Sequence, residues 1–120
     1  MGFHVDSEVG ALHQVIVHRP DLELKRLTPT NKDDLLFDDI LWVKKARQEH
    51  DAFADALREE GVEVHYVDQL LRETMAAPEA KKYVLDGVFD ERALGPMAIE
   101  PLRNLFESMN ADEFTVYLIG

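Results

Sequence analysis

Four aspartates flank a short apolar triplet within residues 28–42, TPTNKDDLLFDDILW. They are Asp33, Asp34, Asp38 and Asp39. Carboxylates at this density could bind a divalent cation, complement the positive end of a helix, or bind a cationic substrate. On a helix, Asp34 and Asp38 stand four residues apart and share a face. Magnesium sites need further oxygen ligands, and no second acidic cluster or phosphate-binding group lies nearby, so the sequence disfavours a metal site.

A long amphipathic helix is predicted to carry these carboxylates. Over residues 36–57 the apolar side chains recur at three- and four-residue steps, with one gap at His50. The positions that follow this spacing are Leu36, Ile40, Val43, Ala46, Phe53 and Leu57. Thr30 or Asn31 can cap the start of the helix, and Gly61 is well placed just past its end.

The two pairs of aspartates fit this helix unequally. Asp33 and Asp34 would lie in its first turn, where each carboxylate interacts favourably with the positive end of the helix dipole by roughly 0.3–1 kcal/mol. Asp38 and Asp39 would lie beyond the first turn and flank the apolar face, so the dipole does not explain them.

Other side chains of the predicted helix have simpler interpretations. Trp42, on the helix flank, is expected to pack by burial rather than to stack on a ligand. Lys44, Lys45 and Arg47 could bind phosphate, but pairing with the many carboxylates of a solvated face is the favoured interpretation.

Two short strands flank the predicted helix. Residues 15–17 form a β-branched run closed by Pro20, which predicts a largely buried strand. Residues 62–67, VEVHYV, alternate in polarity as a second short strand does. A helix between two strands is enough for the crossover of a parallel βαβ unit, although a single unit leaves its sheet edges open. The first half of the chain is therefore predicted to be α/β.

The second half changes character at Asp68. From there onward the sequence predicts short helices, interrupted before Pro78, at Gly87 and before Pro96. Pro101 is predicted to open a further helix, because proline is tolerated in a first turn. The chain thus divides near residue 68 into an α/β beginning and an all-helical segment.

Composition bounds the function. The chain has 120 residues and a net charge of −11, which disfavours nucleic acid and anionic lipid as partners. It contains no cysteine, so these residues offer no disulfide, no thiolate metal site and no cysteine nucleophile. The first ten residues lack the basic and apolar regions of a secretory signal, and we expect a cytoplasmic protein. Because the chain ends in the apolar run 116–119, we also expect it to be a piece of a longer protein.

Three stretches of the sequence resemble the N-terminal portion of bacterial arginine deiminases: HVDSEVGALHQVIVHRP, LTPTNKDDLLFDDILWVKKARQEHDAF and YLIG. The resemblance implies the pentein fold, a five-bladed α/β propeller with a helical bundle inserted in its first module. Residues 1–68 would then begin an α/β propeller module, and residues 69–120 would form most of the inserted bundle, left incomplete.

The resemblance also implies a reaction. Arginine deiminases hydrolyse L-arginine to L-citrulline and ammonia without a metal or an organic cofactor. A cysteine thiolate attacks the guanidinium carbon, a histidine manages protons, and paired carboxylates hold the guanidinium nitrogens. Water then hydrolyses the covalent amidino-thioether. The implied partners are L-arginine, the remainder of the deiminase chain, and further copies in a homo-oligomer.

One local stretch matches residues that lie at the substrate in this family. The leucine of the LLFDD segment lies beside the bound arginine, and the matching residue here is Leu36. Phe37 and Asp38 are further candidates for shaping the same pocket. The spacing alone favours Leu36 as an ordinary core residue at a helix start. The resemblance instead favours Leu36 as a residue that contacts the substrate.

The catalytic groups of the family lie downstream of the matched region. The histidines present are expected to be structural or surface residues; they are His4, His13, His18, His50 and His65. We therefore expect no catalytic residue here and no activity from the chain alone. Two alternatives stay open: another pentein activity, such as amidinotransfer or dimethylarginine hydrolysis, and a stand-alone binding or regulatory module.

Overall fold

A computed structural model describes residues 4–120, which contain helices and a small parallel sheet. In chain order the elements are β1 (Gln14–Val17), α1 (Leu22–Lys25), α2 (Val43–Glu59), β2 (Glu63–Tyr66), α3 (Val67–Met75), α4 (Pro78–Val88), α5 (Glu91–Leu94), α6 (Pro96–Ser108) and α7 (Ala111–Ile119). None of these helices has the length and apolar character needed to cross a membrane. The protein is a mixed α/β structure whose strands lie in the first half and whose second half is helical, as predicted.

The sheet consists of β1 and β2, paired in parallel with Val15 opposite Val64 and Val17 opposite Tyr66. Helix α2 makes the connection between them, which confirms the predicted βαβ unit. The prediction of a largely buried β1 is wrong, because Ile16 is 61% exposed. Helices α2 and α3 both contact β2. Exposed and half-buried residues alternate along β1, so only one of its faces is covered.

Helix α2 ends where the sequence predicts. Gly61 follows the last turn with a φ of 81°, a conformation that glycine adopts without steric cost. Its amide donates to the Arg58 carbonyl at 2.9 Å, and the Val62 amide donates to the Leu57 carbonyl at 3.0 Å. This pair of bonds is the Schellman closure, which satisfies carbonyls that the helix end would otherwise leave unpaired.

The predicted start of α2 is wrong. The helix begins at Val43, with Trp42 in the N-cap position, so residues 31–42 lie outside it. Asp33 and Asp34 therefore do not lie in a first helical turn, and Thr30 and Asn31 do not cap the helix.

The buried face of α2 also differs from the predicted one. Ala54 is fully buried and His50 is half-buried, whereas Phe53 is 55% exposed. His50, which interrupts the apolar spacing, thus fills the position on the inner face. Its ring lies 6.1 Å from that of Tyr66 on β2, so an amphipathic side chain fills the gap in the apolar spacing.

A second apolar core forms within the helical half. Met75 of α3, Leu85 of α4 and Phe114 of α7 are buried against one another. The ring of Phe106 on α6 extends this core, with its centroid 6.0 Å from that of Phe114 and 5.4 Å from that of Phe89. Aromatic pairs at such distances add to the energy of burial, so Phe114 joins three helices into one unit.

Two helix starts in this half depend on local chemistry. Pro96 occupies the first turn of α6, and Pro101 lies inside the helix, so the prediction that Pro101 opens a helix is wrong. Helix α7 begins with a capping box. Asn110 Oδ1 accepts from the Glu113 amide at 2.9 Å, and Glu113 Oε2 accepts from the Asn110 amide at 3.2 Å.

Candidate functional site

Residues 28–42 form an exposed loop between α1 and α2, and the loop begins with hydrogen-bonded turns. Asn31 Oδ1 accepts from the Thr28 amide at 2.7 Å, and Thr28 Oγ1 accepts from the Asn31 amide at 3.2 Å. Asn31 Nδ2 also donates to the Arg26 carbonyl at 3.0 Å. The reciprocal bonds between Thr28 and Asn31 have the pattern of a capping box, and the Lys32 amide donates to the Thr28 carbonyl at 3.1 Å, so these bonds fix the entry to the loop.

Leu36 lies at the tip of this loop in a left-handed conformation. Its φ is 62°, and no other non-glycine residue of the described chain has a positive φ. The Leu36 amide donates to the Asp33 carbonyl at 3.1 Å, and the Phe37 amide donates to the Lys32 carbonyl at 2.9 Å. This is the same closure that Gly61 makes, with leucine in the position that glycine usually fills. A left-handed residue with a side chain costs roughly 1–2 kcal/mol.

The side chain of Lys32 also bonds within this turn. Its ammonium donates to the Asp38 carbonyl at 3.2 Å and pairs with the Asp33 carboxylate. Only 24% of the Lys32 side chain is exposed, which is low for a lysine on a loop. The turn that carries Leu36 is therefore held by side-chain bonds as well as by backbone bonds.

The three predicted substrate-binding residues lie side by side in this turn. Leu36 is 93% exposed, Phe37 is half-buried, and Asp38 is exposed. The interpretation of Leu36 as a core residue, which spacing alone favours, is wrong. Its side chain is available to a ligand, but these residues alone do not enclose one.

Several neighbours of Leu36 also expose apolar side chains. We call this set the loop patch; it comprises Leu35, Leu36, Ile40, Leu41 and Trp42. Trp42 is 70% exposed, so the prediction that it packs by burial is wrong. These exposed apolar side chains lie within eight consecutive residues, and exposed apolar side chains grouped in this way are typical of surfaces that bind a ligand or another protein.

The aspartates of the loop act locally. Asp33 pairs with Lys32, and Asp39 Oδ1 accepts from the Ile40 amide at 2.7 Å. Across residues 4–120, no three or more histidine, aspartate or glutamate side chains are grouped so that they could hold a metal ion. The side chains of Asp33 and Asp39 thus bond within the loop.

Two arginines attach the chain segment that precedes the loop to α2. Arg19 donates through Nε and Nη2 to the two carboxylate oxygens of Asp51, both at 2.7 Å. Arg47 donates through Nε to the Pro20 carbonyl at 2.9 Å and pairs with Asp21. The predicted pairing of Arg47 with a carboxylate is confirmed. Bidentate arginine pairs fix orientation as well as distance, so this segment is anchored.

The Arg19–Asp51 pair perturbs both groups. The hydrogen bond from Arg19 lowers the pKa of Asp51 below its ordinary value, and the same bond raises the pKa of Arg19. Both effects favour the charged forms. Sequence reasoning did not find this pair, because Arg19 and Asp51 are 32 residues apart and no spacing rule links a residue after a strand to a helix face.

A cavity of about 150 Å³ lies between the end of β1, α3 and α7. Its lining includes His18, Glu23, Arg72 and Thr115. His18 Nε2 lies 2.8 Å from Glu23 Oε1. Thr115 is buried, and its Oγ1 has no hydrogen-bond partner within residues 4–120. The lining combines charged and apolar side chains, and it contains no cysteine.

The histidines do not converge on the loop. His4, His18 and His65 each lie near a carboxylate, on Asp6, Glu23 and Glu63 respectively. The Nδ1 atom of His50 is buried, without a hydrogen-bond partner within the described residues. Within residues 4–120, no hydrogen bond joins any of these four histidines to Leu36. The expectation that the histidines are structural or surface residues stays a prediction.

Most of the loop lies within a region that matches a known protein family. A sequence model of the arginine deiminase family matches residues 33–119. The matched range includes Leu36, Phe37 and Asp38, together with α2, β2 and helices α3 to α7, while β1 lies before it. Most of the chain is thus covered, and the chain belongs to the arginine deiminase family.

Proposed function

We propose that this chain works as part of an arginine deiminase, which hydrolyses L-arginine to L-citrulline and ammonia through a covalent cysteine intermediate. One observation carries the proposal. A sequence model of the arginine deiminase family matches residues 33–119, and within that range Leu36 is the only described non-glycine residue with a positive φ. Backbone strain persists where the surroundings impose it and is concentrated at binding sites.

The role we propose for the loop is substrate binding. Leu36 supplies an exposed apolar side chain that packs against the aliphatic stem of arginine and excludes water from it. Phe37, half-buried, gives that wall a fixed base. The Asp38 carboxylate is exposed beside them and contributes negative charge toward a cationic ligand.

The nucleophile must come from outside these 120 residues, because the sequence contains no cysteine. We therefore propose that the thiolate, the proton-transferring histidine and the guanidinium-binding carboxylates belong to the rest of the enzyme. On this proposal, residues 1–68 begin the first module of a cytoplasmic pentein propeller and residues 69–120 belong to its helical insertion. The enzyme would act as a homo-oligomer.

The test is reconstitution of the activity. The chain is joined to the cysteine-containing portion of a deiminase of the same family, and citrulline release from L-arginine is measured with the chain alone as the blank. We expect citrulline from the joined protein and none from the chain. Leu36→Ala should raise the KM for arginine, whereas Leu105→Ala, which removes an exposed leucine from α6, should not. A folded joined protein that released no citrulline would refute the proposal.

Two alternatives are separated by the same material. Other penteins act on different guanidino compounds, so the joined protein is also offered methylated arginines and an amine acceptor. Preference for either would indicate dimethylarginine hydrolysis or amidinotransfer. A non-catalytic module would instead show a stable partner for the chain and no turnover after joining. The family match at residues 33–119 favours deimination over both.

A further inference from the structure

Lys32 bonds to both of the residues that follow the strained residue Leu36. Its carbonyl accepts from the Phe37 amide at 2.9 Å, and its ammonium donates to the Asp38 carbonyl at 3.2 Å. One residue thus binds the two that follow Leu36, once through its backbone and once through its side chain.

Leu36 cannot hold this conformation by its own packing. Its side chain is 93% exposed, so burial contributes little to fixing the backbone. A positive φ is unfavourable for leucine, and the strained state persists only if neighbouring bonds impose it. The bonds around Leu36 in the described chain include those to the Asp33 and Lys32 carbonyls, that from the Leu35 amide to the Asn31 carbonyl, and those of the Lys32 ammonium.

We propose that Lys32 is a positioning residue for substrate binding: its ammonium, between Asp33 and the Asp38 carbonyl, holds Leu36 in the left-handed conformation that presents it to arginine. The proposal rests on the proposed function for its substrate. The Lys32 side chain is only 24% exposed and bonds within the turn, whereas Leu36 is 93% exposed, so on this proposal Lys32 acts through Leu36 and not on arginine.

The ion pair with Asp33 is not the main part of this role. The Asp33 side chain is 77% exposed, and exposed pairs contribute little. The bond to the Asp38 carbonyl is the important one, because it needs a long cationic side chain that reaches a backbone oxygen. Arginine can reach and donate in the same way, whereas methionine has the length but not the donor.

The first test uses the 120-residue chain itself. Amide hydrogen exchange of Phe37 is compared among the unsubstituted chain, Lys32→Met, Lys32→Arg and Lys45→Met. Lys45 lies on α2, where it pairs with Glu49 at 3.5 Å, so its replacement gives the same change of charge away from the loop. We expect exchange to accelerate about tenfold in Lys32→Met, because the turn opens locally. Lys32→Arg and Lys45→Met should retain the original rate.

The second test uses the joined deiminase. Lys32→Met should raise the KM for arginine about tenfold while kcat changes less than about twofold, because a positioning error in an apolar wall weakens ground state and transition state alike. Lys32→Arg should restore the KM, and Lys45→Met should leave it unchanged. A merely structural lysine would not produce this separation of KM from kcat.

The outcomes are distinguishable. Unchanged Phe37 exchange in Lys32→Met would overturn the proposal whatever the enzyme does. Faster exchange with an unchanged KM would overturn it too, because Leu36 would then not need its conformation for binding. If the unsubstituted joined protein did not turn over arginine, the proposed function would fail and the substrate role of Lys32 with it. The exchange result would still report whether Lys32 holds the turn.

Discussion

Leu36 and Gly61 occupy equivalent positions in two closures with the same hydrogen-bond pattern. Each has a positive φ, 62° for Leu36 and 81° for Gly61, and each is followed by an amide that donates to the carbonyl five residues earlier. At the end of α2 the sequence supplies the glycine that this conformation favours. In the loop it supplies a leucine with an exposed side chain, so the loop gives up stability to keep a large apolar group at that position.

Replacing Leu36 by glycine should therefore stabilise the chain. We expect Leu36→Gly to raise the free energy of unfolding by about 0.5–1 kcal/mol, since it relieves the left-handed strain and removes few buried contacts. Urea denaturation followed by circular dichroism measures the change. The same substitution should weaken arginine binding in the joined deiminase.

Two matched variants check the reason for this effect. Leu35→Gly places glycine at a neighbouring exposed leucine whose φ is not positive, so it should lower the free energy of unfolding. Gly61→Ala should lower it by about 1 kcal/mol, because alanine resists the conformation that Gly61 adopts. Destabilisation by Leu36→Gly equal to that by Leu35→Gly would show that Leu36 is not strained.

The Arg19–Asp51 pair predicts a pH dependence. The pKa of Asp51 is lowered in the folded state, so the pair contributes stability above the ordinary aspartate pKa of about 3.9. That contribution is lost as the pH falls through the folded-state pKa. Asp51→Asn should thus be less stable than the unsubstituted chain at pH 7, and the difference should shrink toward pH 3.

The measurement is the free energy of unfolding of both proteins from pH 7 to pH 3. Glu73→Gln serves as the control, because it removes one exposed carboxylate from α3, where Glu73 accepts from the neutral side chain of Gln69. A difference between Asp51→Asn and the unsubstituted chain that stayed constant over this range would contradict the pairing.

Phe114 should be the most costly aromatic to remove. It is 2% exposed and lies between Met75 and Leu85, so Phe114→Ala should lower the free energy of unfolding by about 3–5 kcal/mol. Phe53→Ala removes the same group from a site that is 55% exposed and should cost far less. Thermal unfolding of the two variants measures the contrast. Similar losses would place Phe53 in a core, as its spacing along the sequence predicts.

The capping box of α7 predicts a further contrast. Asn110→Ala removes the acceptor of the Glu113 amide and should lower the free energy of unfolding by about 1 kcal/mol. Asn104→Ala makes the same chemical change inside α6, where alanine is the better helix former, and should be neutral or stabilising. Helix content and urea denaturation test both. Equal destabilisation by the two would remove the cap as the cause.

Sequence reasoning predicted the elements whose signals are local. The β-branched run at β1, the alternation at β2 and the glycine after α2 each correspond to an observed element. The start of α2 was predicted wrongly because Leu36 and Ile40 have helical spacing. That spacing does not register the left-handed conformation of Leu36, whose closure onto Lys32 and Asp33 ends the turn before α2 begins.

The candidate site was predictable only through the family. Spacing assigns Leu36 to a core, and nothing in the residue types indicates a positive φ for leucine. The resemblance pointed to Leu36, Phe37 and Asp38 as a substrate-binding stretch, and that role stays a prediction. Neither the spacing nor the resemblance points to Lys32, because its bond to the Asp38 carbonyl depends on the path of its side chain.

The two-stranded sheet has a consequence for how the chain behaves in concentrated solution. Within residues 4–120, β1 and β2 pair only with each other, so each has an outer edge that could accept a strand from another copy. The net charge of −11 provides a repulsion between copies, with a range of about 30 Å at 0.01 M salt and about 3 Å at 1 M. Colloidal stability should therefore depend on ionic strength, and light scattering should rise as sodium chloride is added.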